Sequence, residues 1–403
     1  MPIEVIAGAG PLTGLRVVEL GTLIAAPFAT RMLGDFGAEI IKIESPGGGD
    51  PLRKWRKLHQ GTSLWWYLQS RNKKSVTLDL KSAEGQDIVR RLIAQADILV
   101  ENFRPGTLEK WGLGWEELSK INPKLVMVRI SGFGQTGPYA NRPGFGAIGE
   151  AMGGIRHTTG SADRAPARTG VSLGDSLASL HAVIGALMCV LRVKTLGGQG
   201  QVVDVSLTES IFNIMESLIP EYDLLGEVRT RTDGKLPGIV PSNTYRTKDA
   251  RWVVVAGNGD SIYRRLMVVI ERPDLAASPD LQSNDGRVLQ EQMIDTAIQE
   301  WVGRHPLDTV LAAFQTGEIP SSAIYTAADI VADAQYQARE MVLSERLPDG
   351  TAVKMPGVVP KLSGTPGRVG WLGPTLGAHT REVLTGLGMS HPEIDALKAA
   401  GTI

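Results

Sequence analysis

Between residues 15 and 130, short apolar runs alternate with helical patterns, and few architectures accommodate that alternation. Residues 15–20 read as a buried strand. A helical pattern follows at residues 25–36, with Pro27 in its first turn, where the missing N–H would be unpaired anyway, and Gly37 closes it. Glu39–Glu44 reads as a second strand. Strand, helix and strand within about thirty residues make a βαβ unit and hence a parallel sheet. Residues 76–80, 98–100, 125–130 and 202–207 continue the strands, and residues 83–94 supply another helix. The expected fold class is α/β, a doubly wound sheet whose ligand crevice lies at the C-terminal ends of its strands.

The texture changes after a helical pattern at residues 209–225. Residues 226–235 are polar, with Arg229, Arg231 and Asp233, and read as an exposed connection. Strands at 239–246 and Trp252–Ala256 then flank a turn, and a helix follows at 262–270. This segment reads as a smaller α+β unit. A short strand at 323–325 precedes the return of the chain to the first domain, where Val342–Arg346 pairs with residues 352–355. The expected domains are residues 1–225, 226–322 and 323–403, and 403 residues suffice for this division.

A net charge of −1 gives no global attraction to nucleic acid or an anionic membrane. Cys189 is the sole cysteine, so no intrachain disulfide can form. Met1-Pro2-Ile3-Glu4 lacks the basic-then-apolar order of a signal peptide. The longest apolar run is closed by Arg192, short of the roughly 20 residues of a membrane helix. A cytoplasmic protein is expected. The six histidines show no metal-ligand spacing, so no metal is expected.

Residues 169–176, Thr-Gly-Val-Ser-Leu-Gly-Asp-Ser, form a small-residue turn that opens a long apolar helix. Asp175 sits where an N-cap would sit, and a cap is the commonest role for such an aspartate. A carboxylate at a helix N-terminus with an open approach is also a candidate nucleophile. Residues 170–174 match the hydrolase pattern G-x-S-x-G, but no strand leads into them, so the serine match is chance. Residues 132–137 spell G-x-G-x-x-G after a strand. Pro138 and Pro143 follow instead of a helix, which argues against a dinucleotide site. The basic segments at 53–57, at 71–74 and at Arg104 with Lys110 fall on consecutive βα connections. They read either as solvated faces or as sites for a phosphorylated ligand, with Trp55, Phe103 and Trp111 as faces for an adenine ring or as core.

Several segments together carry a family likeness. They are residues 14–20 (GLRVVEL), 26–29 (APFA), 33–39 (LGDFGAE), 42–44 (KIE), 71–75 (RNKKS), 100–106 (VENFRPG), 132–138 (GFGQTGP) and 173–175 (LGD). Over nearly its whole length the chain resembles the class III CoA-transferases, which include formyl-CoA, carnitine and dicarboxylate CoA-transferases. The resemblance implies a Rossmann-like large domain from both chain ends, an inserted small domain, and two subunits interlocked as an obligate homodimer. It implies that Asp175 attacks a donor thioester, with coenzyme A as substrate and no tightly bound cofactor. By position, the CoA contacts fall on Leu23, Ile24, Ala25, Leu78, Lys81, Asn102, Phe103, Arg104, Lys110 and Phe145. Gly257-Asn258-Gly259 resembles a mobile glycine loop covering the site.

The chain also departs from the formyl-CoA enzymes. Thr22 and Ile24 stand where those carry His and Gln, which argues against oxalate. Gly146 replaces an acidic residue. Ser45 replaces a basic CoA contact, so phosphate binding is expected to shift to Arg53 or Lys54. Related acyl-CoA racemases use a histidine near Phe145, a residue that cannot move a proton. The overall texture is closest to transferases exchanging CoA between dicarboxylates such as succinate and glutarate. An isomerase on the same scaffold and a non-catalytic CoA-binding dimer are the alternatives.

Overall fold

The computed structural model describes residues 10–403, so Met1-Pro2-Ile3-Glu4 lies outside the described residues. The chain divides into two compact units. The large one takes residues up to Ile155, Thr169–Ser217 and Glu340–Ile403; the small one takes Arg156–Arg168 and Leu218–Arg339.

The large unit is built on β1 (Arg16–Glu19), α1 (Ala25–Asp35), β2 (Glu39–Glu44), β3 (Lys73–Thr77), α2 (Ala83–Ile93), β4 (Ile98–Glu101), β5 (Val126–Ser131), α3 (Gly146–Met152), α4 (Leu173–Leu196) and β6 (Val202–Ser206). The strands form one sheet in the order β3-β2-β1-β4-β5-β6, and every pairing is parallel. The α/β fold read from the sequence is therefore present. Side chains alternate across each strand. Val18, Ile41, Leu99 and Met127 face a core shared with α2. Val17, Ile40, Ile98 and Val126 face a second core shared with α1 and α4. Burial on both faces explains why these strands read as continuous apolar runs. The strand order reverses between β1 and β4, which places a crevice at their C-terminal ends.

Helix α4 runs 24 residues to Gly197, whose φ of 63° ends it. By length and composition it is long and apolar enough to cross a membrane. The chain stays helical past Arg192 to Leu196, so the helix is longer than the apolar run that Arg192 closes. One face carries the small residues Ala178, Ser179, Ala182, Ala186 and Cys189, all buried. They let the helix lie close against the sheet and α1, so α4 is a core helix on that side. Leu180, Ile184, Met188 and Leu191, on the opposite face, are 43%, 49%, 66% and 62% exposed.

In the small unit, β7 (Ser242–Arg246), β8 (Trp252–Ala256) and β9 (Ser321–Ala323) make an antiparallel sheet in the order β9-β8-β7. Helices α5 (Asp260–Val269), α6 (Glu291–Val302) and α7 (Leu307–Thr316) cover a core of Tyr245, Val253, Tyr263, Leu266, Ile298, Trp301 and Phe314.

Some expected boundaries move. The helix expected at 209–225 is two, Leu207–Phe212 and Leu218–Leu225, separated at Glu216 with φ of 52°. The small unit is larger than 226–322 because ion pairs and hydrogen bonds extend it. Arg229 pairs with Glu221 at 2.6 Å and Arg251 with Asp329 at 3.1 Å. Arg231 donates to the carbonyls of His157 and Ser161 at 3.2 and 3.0 Å.

Candidate active site

Three loops meet at the crevice, and side-chain hydrogen bonds fix them. Asn102, just after β4, accepts from the Thr22 N–H and donates to the Thr22 carbonyl, each at 2.8 Å. The loop after β2 supplies Asp50, which accepts from the Leu23 N–H at 3.0 Å and the Leu52 N–H at 2.9 Å. Leu23 has φ of 65°, an unusual value for a side chain branched at Cγ. Asp50 holds it there, so the backbone of residues 22–25 is presented in one conformation.

Beneath these loops lies a buried charge network. Lys42 Nζ contacts Glu19 at 2.7 Å, Asp50 at 2.8 Å and the Gly21 carbonyl at 2.9 Å. Lys73 Nζ contacts Glu19 at 2.9 Å and the Pro27 carbonyl at 2.7 Å. Burial alone would raise the Glu19 carboxyl, but Lys42 and Lys73 outweigh it and hold the group down at about 2. Burial lowers Lys73 to about 8 despite Glu19. At the end of β4, burial pushes Glu101 up to about 7 against the opposing pull of Arg129, whose Nε lies 2.7 Å away.

Asp175 is the third residue of α4, so it lies in the first turn and is not the N-cap. Ser172 occupies the cap position without a side-chain cap bond. The positive end of the helix dipole favours a carboxylate there. Asp175 is half-buried. A Cβ added to Gly146 would stand 2.2 Å from its Oδ2, so this carboxylate occupies space that only glycine leaves free. The α4 terminus is pinned from two sides. The Gly174 N–H donates to Glu150 at 3.4 Å. The Ser179 hydroxyl lies 2.7 Å from the carbonyls of both Asp175 and Ala25, joining this turn to the start of α1.

The expected CoA contacts divide into three groups. Leu23, Ile24, Ala25 and Asn102 come together at the crevice, with the Ile24 and Ala25 side chains buried and Leu23 and Asn102 half-buried. Phe103 stacks edge-on to Trp111 at 5.4 Å, and Arg104, Lys110 and Lys81 are exposed. Phe145 is 67% exposed immediately before Gly146. Leu78 is different: its side chain is core and its N–H donates to the Glu44 carbonyl at 2.8 Å.

Arg53, expected to take over a phosphate, is instead buried. Its guanidinium pairs with Glu44 at 2.7 Å, donates to the Pro374 carbonyl at 3.1 Å and lies 3.6 Å from the Trp66 ring centroid. Arg71 and Lys73 of the basic run 71–74 are likewise internal, and Lys74 is half-buried. Arg71 pairs with Asp35 at 2.6 Å, Lys73 with Glu19, and Lys74 with Glu39 at 2.8 Å. Arg53, Arg71 and Lys73 neutralise buried carboxylates, Lys74 pairs with half-buried Glu39, and none of the four is free for a phosphate. Gly257-Asn258-Gly259 lies between β8 and α5, with the Asn258 carbonyl accepting from the buried Arg287 at 2.8 Å. The G-x-G-x-x-G stretch runs into turns, not a helix, and Gly132 packs against Gly144 at a spacing a Cβ would break.

A cavity of about 540 Å³ opens beside Asp175. Its wall holds Ser172 and Ser176, the residues on either side of the aspartate's turn, together with Ile24, Phe28, Arg31, Leu64, Trp65, Leu68 and Gln69, while Arg56 and Lys57 are exposed. Asp50, Arg31 and Ser179 were not singled out from the sequence. Asp50 closes a Gly-Gly-Gly-Asp loop after a strand, and that position was a usable signal; the other two had none.

The sequence pattern of CoA-transferase family III matches residues 12–380. The chain is 47% identical over 395 residues to the succinyl-CoA–D-citramalate CoA-transferase of Chloroflexus aurantiacus, covering 98% of each chain. It is 34% identical to the succinate–glutarate CoA-transferase of Agrobacterium fabrum, covering 94% of this chain and 96% of that one. A crystal structure of a CaiB/BaiF family protein from Brucella suis superposes with a TM-score of 0.83 at 32% identity, covering 94% of this chain and 100% of that one. With whole-length matches in pattern, sequence and fold, the chain is an enzyme of CoA-transferase family III.

Proposed function

We propose that this enzyme moves CoA from a dicarboxylyl-CoA such as succinyl-CoA to a second small dicarboxylic acid, with Asp175 as covalent carrier. The observation that carries the reading is the seat of Asp175: a carboxylate in the first turn of α4, over Gly146, in a turn whose Ser172 and Ser176 line a cavity. The names of the relatives support the substrate class.

The Asp175 carboxylate attacks the donor thioester carbonyl, forming a mixed anhydride and expelling CoA thiolate. The thiolate attacks the aspartyl carbonyl, and the donor acid leaves with the bridging oxygen that came from Asp175. An acceptor carboxylate then attacks the aspartyl thioester and expels CoA thiolate again. Attack of the thiolate on the acceptor acyl carbon yields the new acyl-CoA and regenerates Asp175, which now holds an acceptor oxygen. One thioester replaces another, so the exchange is nearly isoenergetic, and the covalent carrier divides it into accessible steps. The apolar walls of Ile24, Phe28 and Leu64 favour exclusion of water from the activated acyl group.

Coenzyme A is assigned to the crevice, with the fixed backbone of residues 22–25 and Asn102 near its reactive end. Phe103, Arg104 and Lys110 serve its nucleotide end. Gly257-Asn258-Gly259 is assigned the role of a covering loop. A homodimer is part of the proposal, and the exposed apolar face of α4 supports it. An isomerase reading finds less support, because Phe145 supplies no acid or base beside Asp175.

The test is exchange with an acceptor labelled with oxygen-18 in its carboxylate. One label should appear on Asp175 per turnover in peptide mass spectra, and Asp175→Ala should lower kcat at least about 10³-fold while CoA still binds. Turnover without label transfer would remove Asp175 from the reaction.

A further inference from the structure

Arg31 is a cation without an adequate counter-ion. It sits on α1 and lines the cavity whose wall includes Ser172 and Ser176 from the turn that carries Asp175. Its side chain is only 16% exposed, and among the described residues its sole ion pair is to Asp35 at 3.9 Å. Asp35 is already engaged, bound by Arg71 at 2.9 and 2.6 Å and by Asn72 at 2.9 Å. Two arginines thus share one carboxylate. The Arg31 Nε is buried with no hydrogen-bond partner among the described residues, and the guanidinium packs 4.3 Å from the Phe28 ring centroid. Burial and the neighbouring Arg71 lower its affinity for a proton, to about 10. A half-buried guanidinium left in excess is costly unless an anion completes it.

We propose that Arg31 receives the distal carboxylate of the dicarboxylic acyl group, and so selects diacids over monoacids. The inference rests on the transferase reading. Geometry supports the pairing. Arg31 lies six residues beyond Ala25, or about 9 Å along α1, and Ala25 is joined to Asp175 through Ser179. Side chains on a helix lean toward its N-terminus, so the guanidinium is directed back toward the Asp175 end. Phe28, Leu64, Trp65, Leu68 and Val171 line the same cavity and suit a short methylene chain. A CoA phosphate is the other anion available. The cavity wall that holds Ser172 and Ser176 favours the acyl end, because these residues flank the nucleophile.

The experiment measures kcat/KM for succinate and glutarate against butyrate and pentanoate as acceptors, in wild type, Arg31→Gln and Arg31→Lys. The diacid-to-monoacid ratio should fall about 10- to 100-fold in Arg31→Gln and be partly restored in Arg31→Lys. An equal fall for both acid classes would overturn the proposal. So would an unchanged ratio with weakened binding of free CoA, which would assign Arg31 to a phosphate. Calorimetric titration of the wild type with glutarate and pentanoate separates this inference from the transferase reading. Glutarate binding weakened selectively by Arg31→Gln supports the carboxylate site even if no CoA exchange occurs. Equal weakening of both acids, or no glutarate binding to the wild type, overturns it.

Discussion

At the scale of single residues, the account depends on the space around one carboxylate. Gly146→Ala places a methyl where Asp175 Oδ2 now lies, so the side chain must rotate away. A displacement of that size should cost about 10²-fold or more in kcat, with CoA affinity retained; steady-state kinetics beside a CoA titration checks this. Asn102→Ala removes both bonds to Thr22. It should lower stability by about 1–3 kcal/mol and raise KM for acyl-CoA, as read by urea denaturation and kinetics. The helix start that carries Asp175 was legible in the sequence because its glycine-rich approach and the helix after it are local patterns. Arg53 and the run 71–74 were misread because a basic segment looks alike whether solvated or buried. Their counter-ions Glu44, Asp35 and Glu19 lie between 9 and 54 residues away in sequence.

At the scale of elements, β1 and β2 hold up the crevice through charge as much as through apolar packing. The Glu19 carboxyl sits at about 2 against an ordinary value of 4.5. A depressed carboxylate contributes stability that is fully present above its unfolded value and lost as pH falls through its folded one. The denaturation midpoint should therefore decline as pH drops below about 4.5 toward 2. Glu19→Gln leaves Lys73 buried without its carboxylate and Lys42 with Asp50 alone, so it should cost about 3–5 kcal/mol at pH 7 and flatten that acid slope. Urea melts across the pH range check both. Most strands were legible as short apolar runs bounded by turn residues; β3 was not, since it covers Lys73–Thr77 where the expectation was 76–80, and its lysines disguise it. Helix α4 was legible in place but not in role. Its small residues and its large ones lie on opposite faces, and only the packing shows that the small face meets the sheet.

At the scale of the whole molecule, the parallel sheet with its reversal between β1 and β4 could be anticipated from element order alone. The division into units could not be placed closely, because Arg156–Arg168 joins the small unit through contacts distant in sequence. A dimer should show in light scattering as twice the 43.2 kDa chain mass. Ile184→Glu with Met188→Glu on the exposed face of α4 should yield monomer or aggregate, whereas an unchanged dimer would place the interface elsewhere. The most direct test of the whole account is the intact mass of the protein after brief incubation with succinyl-CoA, alongside Asp175→Asn. The account predicts a hydroxylamine-labile adduct of CoA less water on the wild type and none on the variant. The same adduct on Asp175→Asn, or rapid CoA exchange with no adduct on the wild type, would contradict it.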